Sequence, residues 1–334
     1  MAGIQLYTHF QTGKETNAGT AVAATRRWYP DGTGVVDIDN MLSIYQGNRG
    51  RNVQATGGVE KGEAVSLQYR SNPDIGLQFD ELPFVLGQLD GGNTATGALA
   101  NKTWTVAPSM TADNAQEAYT IEVGDDTQNW EYEYAQARSF TIGASVDSMT
   151  TLEMDIFARQ AIKSTKTSLT SNVPLVGIPG YLWSPKFATA QAGLAGASAS
   201  TNFLLDWSAV FQSGRVPRFY QDGAKYFGQS VQSKPQDVAL TLHVESTALA
   251  VTEFYDKWRA QTIDFMQLAA TGPTLGSGTY SATWEVALLY TKVVPIGSEQ
   301  DGVNIYEITA RNVDDPTWGA AQSWSVVCST PSIT

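Results

Sequence analysis

The sequence is poor in the residues from which most active sites are built. Its 334 residues include one cysteine, Cys328, and two histidines, His9 and His243. A single cysteine cannot form an internal disulfide and offers no paired-cysteine metal spacing. A lone histidine in a strand, such as His243, is more often a hydrogen-bonded structural residue than a base or a ligand. These scarcities argue against a metal centre and against nucleophilic catalysis at Cys328.

Motifs of the common cofactor sites are missing as well. The chain has no glycine-rich phosphate loop ending in Lys and Ser or Thr, no helical pair of zinc-binding histidines and no calcium loop with its terminal Glu. We therefore expect no catalytic residues, no cofactor and no metal.

Long apolar runs and positive charge are also scarce. No apolar run approaches the roughly 18 residues that a membrane-spanning helix requires, and the N-terminus lacks a charged and apolar signal pattern. The net charge of −12 should repel nucleic acid and anionic membranes. We expect a protein that is made and folded in a cytoplasm and has no membrane partner.

The abundant residues favour β-structure. Thirty glycines, fourteen tyrosines and nine tryptophans accompany only 16% charged residues, which is typical of a mainly β protein with many turns. The length favours two domains over one.

One strand-and-helix pattern occurs twice, about half the chain length apart. Apolar and polar residues alternate from Val65 to Tyr69, which predicts a strand with one buried face, and Asp80 is a candidate cap for a following helix. The same pattern returns from Leu240 to Val244, before a helix capped by Ser246 or Thr247. The pattern indicates an internal duplication, with chance similarity of two β-rich halves as the alternative. The predicted packing faces are Phe79, Leu82, Leu86 and Leu89 in the first helix and Val251, Phe254, Tyr255 and Trp258 in the second.

Composition also suggests where the chain divides. Residues 1–25 contain a polar segment without a sustained period and predict an extended arm that needs a neighbour to order it. A stretch rich in Ser, Thr and Lys, from Ile162 to Val173, places a domain boundary near Ser171, giving domains 26–170 and 171–334. The low-complexity stretch from Phe187 to Thr201 is compatible with a loop or a weak helix.

Two predicted strands carry a pair of acids on one face. Glu131 and Glu133 alternate with aromatic residues, and Glu153 and Asp155 lie on the face opposite Leu152, Met154 and Ile156. Glycosidases need two carboxylates across a sugar, so that enzyme class remains a minor alternative, but solvated strand faces carry such pairs commonly. The aromatic residues Trp130, Tyr132 and Tyr134 are more typical of a core than of a stacking platform for a sugar or base.

The segment from Gly13 to Thr25, followed by Arg26, Arg27, Trp28 and Tyr29, resembles the N-terminus of the duplicated tail tube (major tail) proteins of long-tailed bacteriophages. The resemblance covers most of the chain and rests on a diffuse pattern. It implies two tandem β-sandwich or barrel-like domains, each with a flanking α-helix, and no catalytic residues. It also implies trimeric rings of pseudo-sixfold symmetry that stack into a hollow tube in the virion tail, assembled in the cytoplasm of the bacterial host.

The same resemblance implies the partners: further copies of the chain, a tape measure protein, tail-end proteins and genomic DNA in transit without tight binding. An acidic channel repels phosphates, so Glu131, Glu133, Glu153 and Asp155 are candidate channel-facing acids, with an outward solvated face as the alternative. The alternative function is a non-enzymatic β-rich decoration or receptor-binding module of a virion.

Overall fold

Strands dominate the structure, a computed structural model. It describes residues 9–31, 36–39, 41–46, 55–60, 62–91, 95–97, 101–125, 127–169, 175–201, 203–300 and 302–330. Strands account for 53% and helices for 9%, which confirms the expectation of a mainly β protein.

The elements follow the chain in this order. The strands before the predicted boundary are β1 (His9–Lys14), β2 (Arg26–Trp28), β3 (Val36–Asp39), β4 (Leu42–Gln46), β5 (Ala55–Glu60), β6 (Ala64–Arg70), β7 (Lys102–Val106), β8 (Tyr119–Gly124), β9 (Asn129–Ser145), β10 (Thr151–Ala158) and β11 (Gln160–Ser164). Those after it are β12 (Ser184–Ala188), β13 (Leu204–Gln212), β14 (Arg215–Arg218), β15 (Gln229–Gln232), β16 (Asp237–Glu245), β17 (Asp264–Leu275), β18 (Gly278–Gln300), β19 (Val303–Asn312) and β20 (Gln322–Cys328). The helices are α1 (Leu82–Leu86), α2 (Gln191–Leu194), α3 (Ala248–Ala250) and α4 (Lys257–Ala260), and a π-helical segment, Val251–Asp256, joins α3 to α4.

Both halves of the chain share one antiparallel sheet. Its main path runs β12-β17-β18-β19-β16-β13-β9-β10-β6-β3. The halves meet where β13 pairs with β9, and β7 of the first half also pairs with β20 of the second. The predicted boundary near Ser171 falls outside the described residues. Strand pairing across it joins the two halves through backbone hydrogen bonds.

The hydrophobic core lies against one face of this sheet and crosses between the halves. Phe140 of β9 stacks on Phe211 of β13 with ring centroids 4.8 Å apart. Phe211 in turn contacts Trp284, which stacks on Trp324 at 5.4 Å. All four side chains are buried, so aromatic packing reinforces the strand pairing between the halves.

The segment predicted to be an extended arm is part of the sheet. Strand β1 pairs with β8 on one side and with β2 on the other. Phe10 is 2% exposed and packs on Trp28 and Tyr69, while Thr12 accepts a hydrogen bond from the Trp28 indole. The prediction of an arm is therefore corrected for His9–Lys14. Residues 15–25 contain no strand, but they are held against β8, because the backbones of Val22 and Ala24 donate to the side chains of Thr120 and Glu122. Residues 1–8 lie outside the described part of the chain.

The first predicted helix exists, but its cap was assigned wrongly. Helix α1 is short, and a proline stands in its first turn as expected. The carboxylate of Asp80 accepts hydrogen bonds from Ser329 and Thr330 near the far end of the chain, so it does not cap the helix. The predicted packing residues Phe79, Leu82, Leu86 and Leu89 are all buried.

The second helix is capped by Thr247, whose hydroxyl accepts from the backbone of Ala250. Phe254 is fully buried, as predicted, and Tyr255 and Trp258 are partly buried against the core. Val251 is 38% exposed, which corrects its assignment to the packing face. The helix is π-helical from Val251 to Asp256, and the wider turn removes Val251 from the face on which an α-helical spacing would place it.

The low-complexity stretch from Phe187 to Thr201, compatible with a loop or a weak helix, contains the end of β12 and the short helix α2. Leu194 of that helix is fully buried beside Phe265. Burial of Leu194 and the pairing of β12 with β17 therefore order a segment whose composition left its conformation open.

Candidate assembly surface

One face of the main sheet is mainly polar across seven adjacent strands, from β6 through β10, β9, β13, β16 and β19 to β18. Its apolar members include Val210, Ala239 and Leu289. Thr141 lies opposite Glu153, and Ser208 lies opposite Thr241. In each strand the alternate residues point to the core, so these hydroxyl and charged side chains form one continuous surface. We call it the wet face.

Most charges of the wet face are paired. Exposed ion pairs contribute little to stability, but they cancel one another's charge, so the wet face is less acidic than the carboxylates alone predicted. Sequence reasoning missed the basic partners, although Arg70 continues the polar side of the alternation in β6. The ion pairs are Arg70–Glu153 (3.0 Å), Arg138–Asp155 (3.9 Å), Arg311–Asp237 (3.7 Å) and Lys292–Glu307 (3.2 Å). His243 and Asp206 are joined by a hydrogen bond of 2.6 Å.

The two predicted acidic pairs do not share a surface. Glu153 and Asp155 lie on the wet face. Strand β9 breaks its alternation at Tyr134, which has a positive φ of 51°, and its first part pairs with β8 and β11 instead of β10. Glu131 and Glu133 lie on that first part and therefore belong to a different layer.

Glu131 and Glu133 are also less solvated than predicted. Glu133 is 8% exposed and accepts a hydrogen bond from Gln160. Burial raises the pKa of both carboxyls, and the negative charges of Glu122 and Glu15 raise that of Glu131 further. Their assignment to an open channel-facing surface is corrected. The neighbouring Tyr132 is 1% exposed, in line with the core interpretation of the aromatic stripe.

A unit of four strands occurs twice in the sheet. In the first half the spatial order is β3-β6-β10-β9, and in the second it is β13-β16-β19-β18. The pairings agree as well, because Leu67 lies opposite Ile156 and Leu242 lies opposite Ile308. A two-stranded hairpin separates the first two strands of each unit, β4–β5 in one and β14–β15 in the other.

The irregularities of the two units differ in position. The β9–β10 ladder shifts its register between Asp155 and Ile156. When Leu67 is matched to Leu242, the equivalent residues Glu307 and Ile308 pair regularly, and the β18–β19 ladder shifts its register on either side of them. The correspondence between the units therefore rests on strand order and strand pairing.

The two units join inside the chain, and their outer edges remain without a strand partner among the described residues. The first strand of the second unit, β13, pairs with the last strand of the first unit, β9. The equivalent strands at the outside are β3 and the end of β18. Beyond Leu288 the edge of β18 that faces away from β19 has no partner in the part of the chain that the structure describes. Exposed apolar side chains lie on both of these strands: Ile38 (38%) on β3 and Ile296 (72%) on β18.

A buried polar cluster joins the first half of the chain to Ser329 and Thr330. The carboxylate of Asp80 accepts from the backbone and hydroxyl groups of Ser329 and Thr330 at 2.8–3.1 Å. The Arg26 guanidinium lies over the Phe84 ring at 4.5 Å and donates to Thr330. Burial lowers the pKa of Arg26. This cluster is structural, because Asp80 and Thr330 are bonded to each other and closed to solvent.

A second acid in this cluster, Glu81, accepts two hydrogen bonds from Gln78. Burial raises its pKa to about 7. Cys328, at the end of β20, is fully buried, and burial raises the pKa of its thiol to about 12. A thiol of this kind is a poor nucleophile.

The remaining candidates for chemistry are dispersed. His9 is buried and contacts Asn129, whereas His243 pairs with Asp206 on the wet face. Within the described ranges no group of three or more His, Cys, Asp or Glu residues could hold a metal ion. No helix in those ranges is long and apolar enough to cross a membrane. Comparison of the sequence with protein families and with curated proteins finds no match to either.

Proposed function

We propose that the chain is a structural virion protein whose copies form trimeric rings that stack into a hollow phage tail tube. The observation that carries this proposal is the repeated four-strand unit. Its two copies join through β9 and β13, and they leave β3 and the part of β18 beyond Leu288 as the equivalent outer edges of the two units. Unpaired strand edges readily accept another strand. A surface that contacts a different surface of the next copy generates a closed ring or an open filament.

The ring closes when neighbouring chains pair in the same way as β9 and β13 pair within one chain. Inside the chain Ala209 of β13 lies opposite Ile142 of β9. Matching the two units places Ile38 at the position of Ala209 and Glu299 at the position of Ile142. Strand β3 of one copy therefore adds to the end of β18 in the next. Three chains contribute six units, which gives pseudo-sixfold symmetry.

Each unit, with its inserted hairpin and the helix that follows its second strand, corresponds to one tail tube domain of a tandem pair. The helices are α1 in the first unit and α3 to α4 in the second. The domains join through the shared sheet, and this continuity lets one chain occupy two successive positions of a ring.

In the ring the wet face lines the channel. Its hydroxyl groups and paired charges offer DNA no basic patch, so the duplex slides through without adsorbing. Glu153 and Asp155 are then the channel-facing acids. The tape measure protein and the tail-end proteins are the remaining proposed partners.

Electron microscopy of the purified protein tests this function. We expect rings or tubes with a central channel and three copies per ring. Compact monomers at every concentration would contradict the proposal and favour the alternative, a non-enzymatic decoration or receptor-binding module of a virion.

A further inference from the structure

The second helix holds a lysine against two acids, one of which also contacts a tyrosine. Lys257 is the first residue of α4, and its ammonium group contacts the carboxylates of Glu253 and Asp264. The distance from Lys257 Nζ to Asp264 Oδ1 is 2.7 Å. The other oxygen of that carboxylate, Oδ2, accepts a hydrogen bond of 2.6 Å from the Tyr290 hydroxyl. One small site therefore contains an amine, a carboxyl group, a second acid on the amine and a phenol on the carboxyl.

Local structure brings these four groups together. Glu253 lies in the π-helical segment, four residues before Lys257, and the two side chains are in contact. Gln261, with a φ of 55°, ends α4 in a left-handed conformation. The chain then returns to β17, whose first residue is Asp264, and Tyr290 comes from the neighbouring strand β18. One helix and two paired strands thus build the site.

The site is largely closed to water. Asp264 has no exposed surface, and the side chains of Lys257 and Glu253 are each 18% exposed. Tyr290 is 1% exposed and packs edge-on against Phe254 with ring centroids 5.4 Å apart. Burial raises the pKa of the Asp264 carboxyl and of the Tyr290 hydroxyl. Charges are costly in such surroundings, and a neutral group of similar volume is often at least as stable as a buried ion pair.

We propose that Lys257 and Asp264 condense within the folded chain to form an isopeptide bond. A proton of the ammonium group passes to Oδ1 of Asp264, and the lone pair of Nζ then attacks Cγ. Tyr290 donates to Oδ2 and stabilises the negative charge that develops there. Glu253 takes a second proton from Nζ and delivers it to Oδ1, which leaves as water. The new C–N bond replaces the bond from Cγ to Oδ1, Glu253 is regenerated, and the step needs neither an oxidant nor a cofactor.

Contact within the folded chain promotes this reaction. Well-oriented groups in one molecule react as if at a concentration on the order of 10⁵ M or more, and exclusion of water protects the amide from hydrolysis. The reaction occurs once per chain, so it is a maturation step and not turnover. It fixes α4 covalently to the start of β17, and until it occurs Asp264 remains a titratable carboxyl. The inference does not depend on the proposed function.

The first half of the chain contains an internal comparison. Lys14 contacts Glu117 at 2.7 Å, and the Tyr119 hydroxyl donates to the other oxygen of the same carboxylate. Among the described residues, Glu117 is the one acid that forms an ion pair with Lys14. This second site has the amine, the carboxyl and the phenol without a further acid on the amine to transfer protons. Lys14 and Glu117 should therefore remain an ion pair.

Mass spectrometry and peptide mapping of the purified full-length protein test the bond. The wild type should lose the mass of one water molecule, and trypsin should release a branched peptide in which Lys257 is joined to Asp264. Glu253→Gln keeps both reacting groups but cannot relay the proton, so it should retain the full mass. Lys257→Arg keeps the charge without the reacting amine and should also retain it. The matched control, Asp256→Asn, changes an exposed acid of the same helix and should lose the water like the wild type.

Melting temperature is measured for every variant, so that a misfolded chain is distinguished from a folded chain without the bond. A wild type that keeps its full mass after prolonged incubation in the folded state, and that trypsin cleaves after Lys257, would overturn the proposal. Loss of water without the branched peptide, as when a succinimide forms at Asp222–Gly223, would overturn it too. A cross-link in folded Glu253→Gln, or one between Lys14 and Glu117, would overturn the role of the second acid.

Discussion

Ile142 of β9 lies directly opposite Ala209 of β13, and neither residue has any exposed surface. This pair stands at the seam where the first four-strand unit meets the second. The β9–β13 pairing inside one chain is therefore the same contact that we propose between β18 of one chain and β3 of the next. The residue pairs of the β9–β13 junction give the register that we expect for the pairing between chains.

From the packing of the second helix we expect Phe254→Ala and Trp258→Ala to lower the free energy of unfolding by different amounts. Phe254 is fully buried and stacks on Phe203 with ring centroids 5.6 Å apart, whereas Trp258 is only partly buried. Phe254→Ala should cost about 3–5 kcal/mol in the free energy of unfolding. Trp258→Ala should cost less than about 2 kcal/mol. Urea unfolding of both variants measures the difference, and equal losses would show that the helix packs differently.

The bonds to Asp80 predict that the far end of the chain depends on one carboxylate. Asp80→Ala removes the shared acceptor of Ser329 and Thr330 and leaves buried donors unpaired, at a cost of about 3 kcal/mol. Asp74→Ala, at an exposed site, should change the stability by no more than about 0.5 kcal/mol. Chemical denaturation of the two variants provides the comparison. Indistinguishable midpoints would contradict the buried cluster.

Glu81 predicts a loss of stability as the pH rises towards neutrality. Its pKa is raised from 4.5 to about 7, so the folded state holds a proton that the unfolded state releases. The stabilising contribution is full below pH 4.5 and is lost as the pH rises through 7. The shift corresponds to about 3 kcal/mol.

Glu81→Gln should remove this part of the pH dependence. Other carboxyls with raised pKa values, such as Asp264, act in the same direction, so the variant must be compared with the wild type at each pH. Parallel stability curves between about pH 4 and pH 8 would show that Glu81 is not the group responsible.

If the wet face lines the channel, reversing the charge of its acids should make assembled tubes bind DNA. Glu153→Lys with Asp155→Lys leaves Arg70 and Arg138 without their acidic partners and makes this part of the face basic. Assembled tubes should then bind DNA, and the binding should fall steeply as salt rises. Asp256→Lys with Asp314→Lys makes the same charge change at exposed positions away from this face. Equal DNA binding by the two variants would place Glu153 and Asp155 outside the channel.

The alternation of apolar and polar residues predicted the strands around Leu67 and Leu242, because a strand with one buried face has a period of two. It also predicted the acids of β10, which remain on the solvated side. The helix after Leu242 was placed correctly through its cap and Phe254, but its π-helical turn has no signature in apolar spacing.

Other features depend on partners that are distant in sequence. Strand β1 is buried on both faces, so its polar residues Gln11 and Thr12 lie away from water. The bend at Tyr134 places Glu131 in a separate layer, and local pattern gives no sign of it. Pairing of β13 with β9 decides that the two halves share one sheet. Periodicity within a single strand cannot identify that partner.

Engineered disulfides test the central claim, the repetition of the internal junction between chains. Ile38→Cys combined with Glu299→Cys should cross-link neighbouring copies on oxidation, and closure of the ring should stop the covalent ladder at trimers. Cys328 is buried and its thiol pKa is about 12, so it should not compete. Ile38→Cys alone, as the control, should give no trimer.

The most direct measurement is the distribution of covalent species after oxidation, read on a non-reducing gel. The account predicts monomers, dimers and a dominant trimer that disappears on reduction. A ladder that continues past the trimer, or a protein that stays monomeric while its rings are visible by electron microscopy, would contradict it.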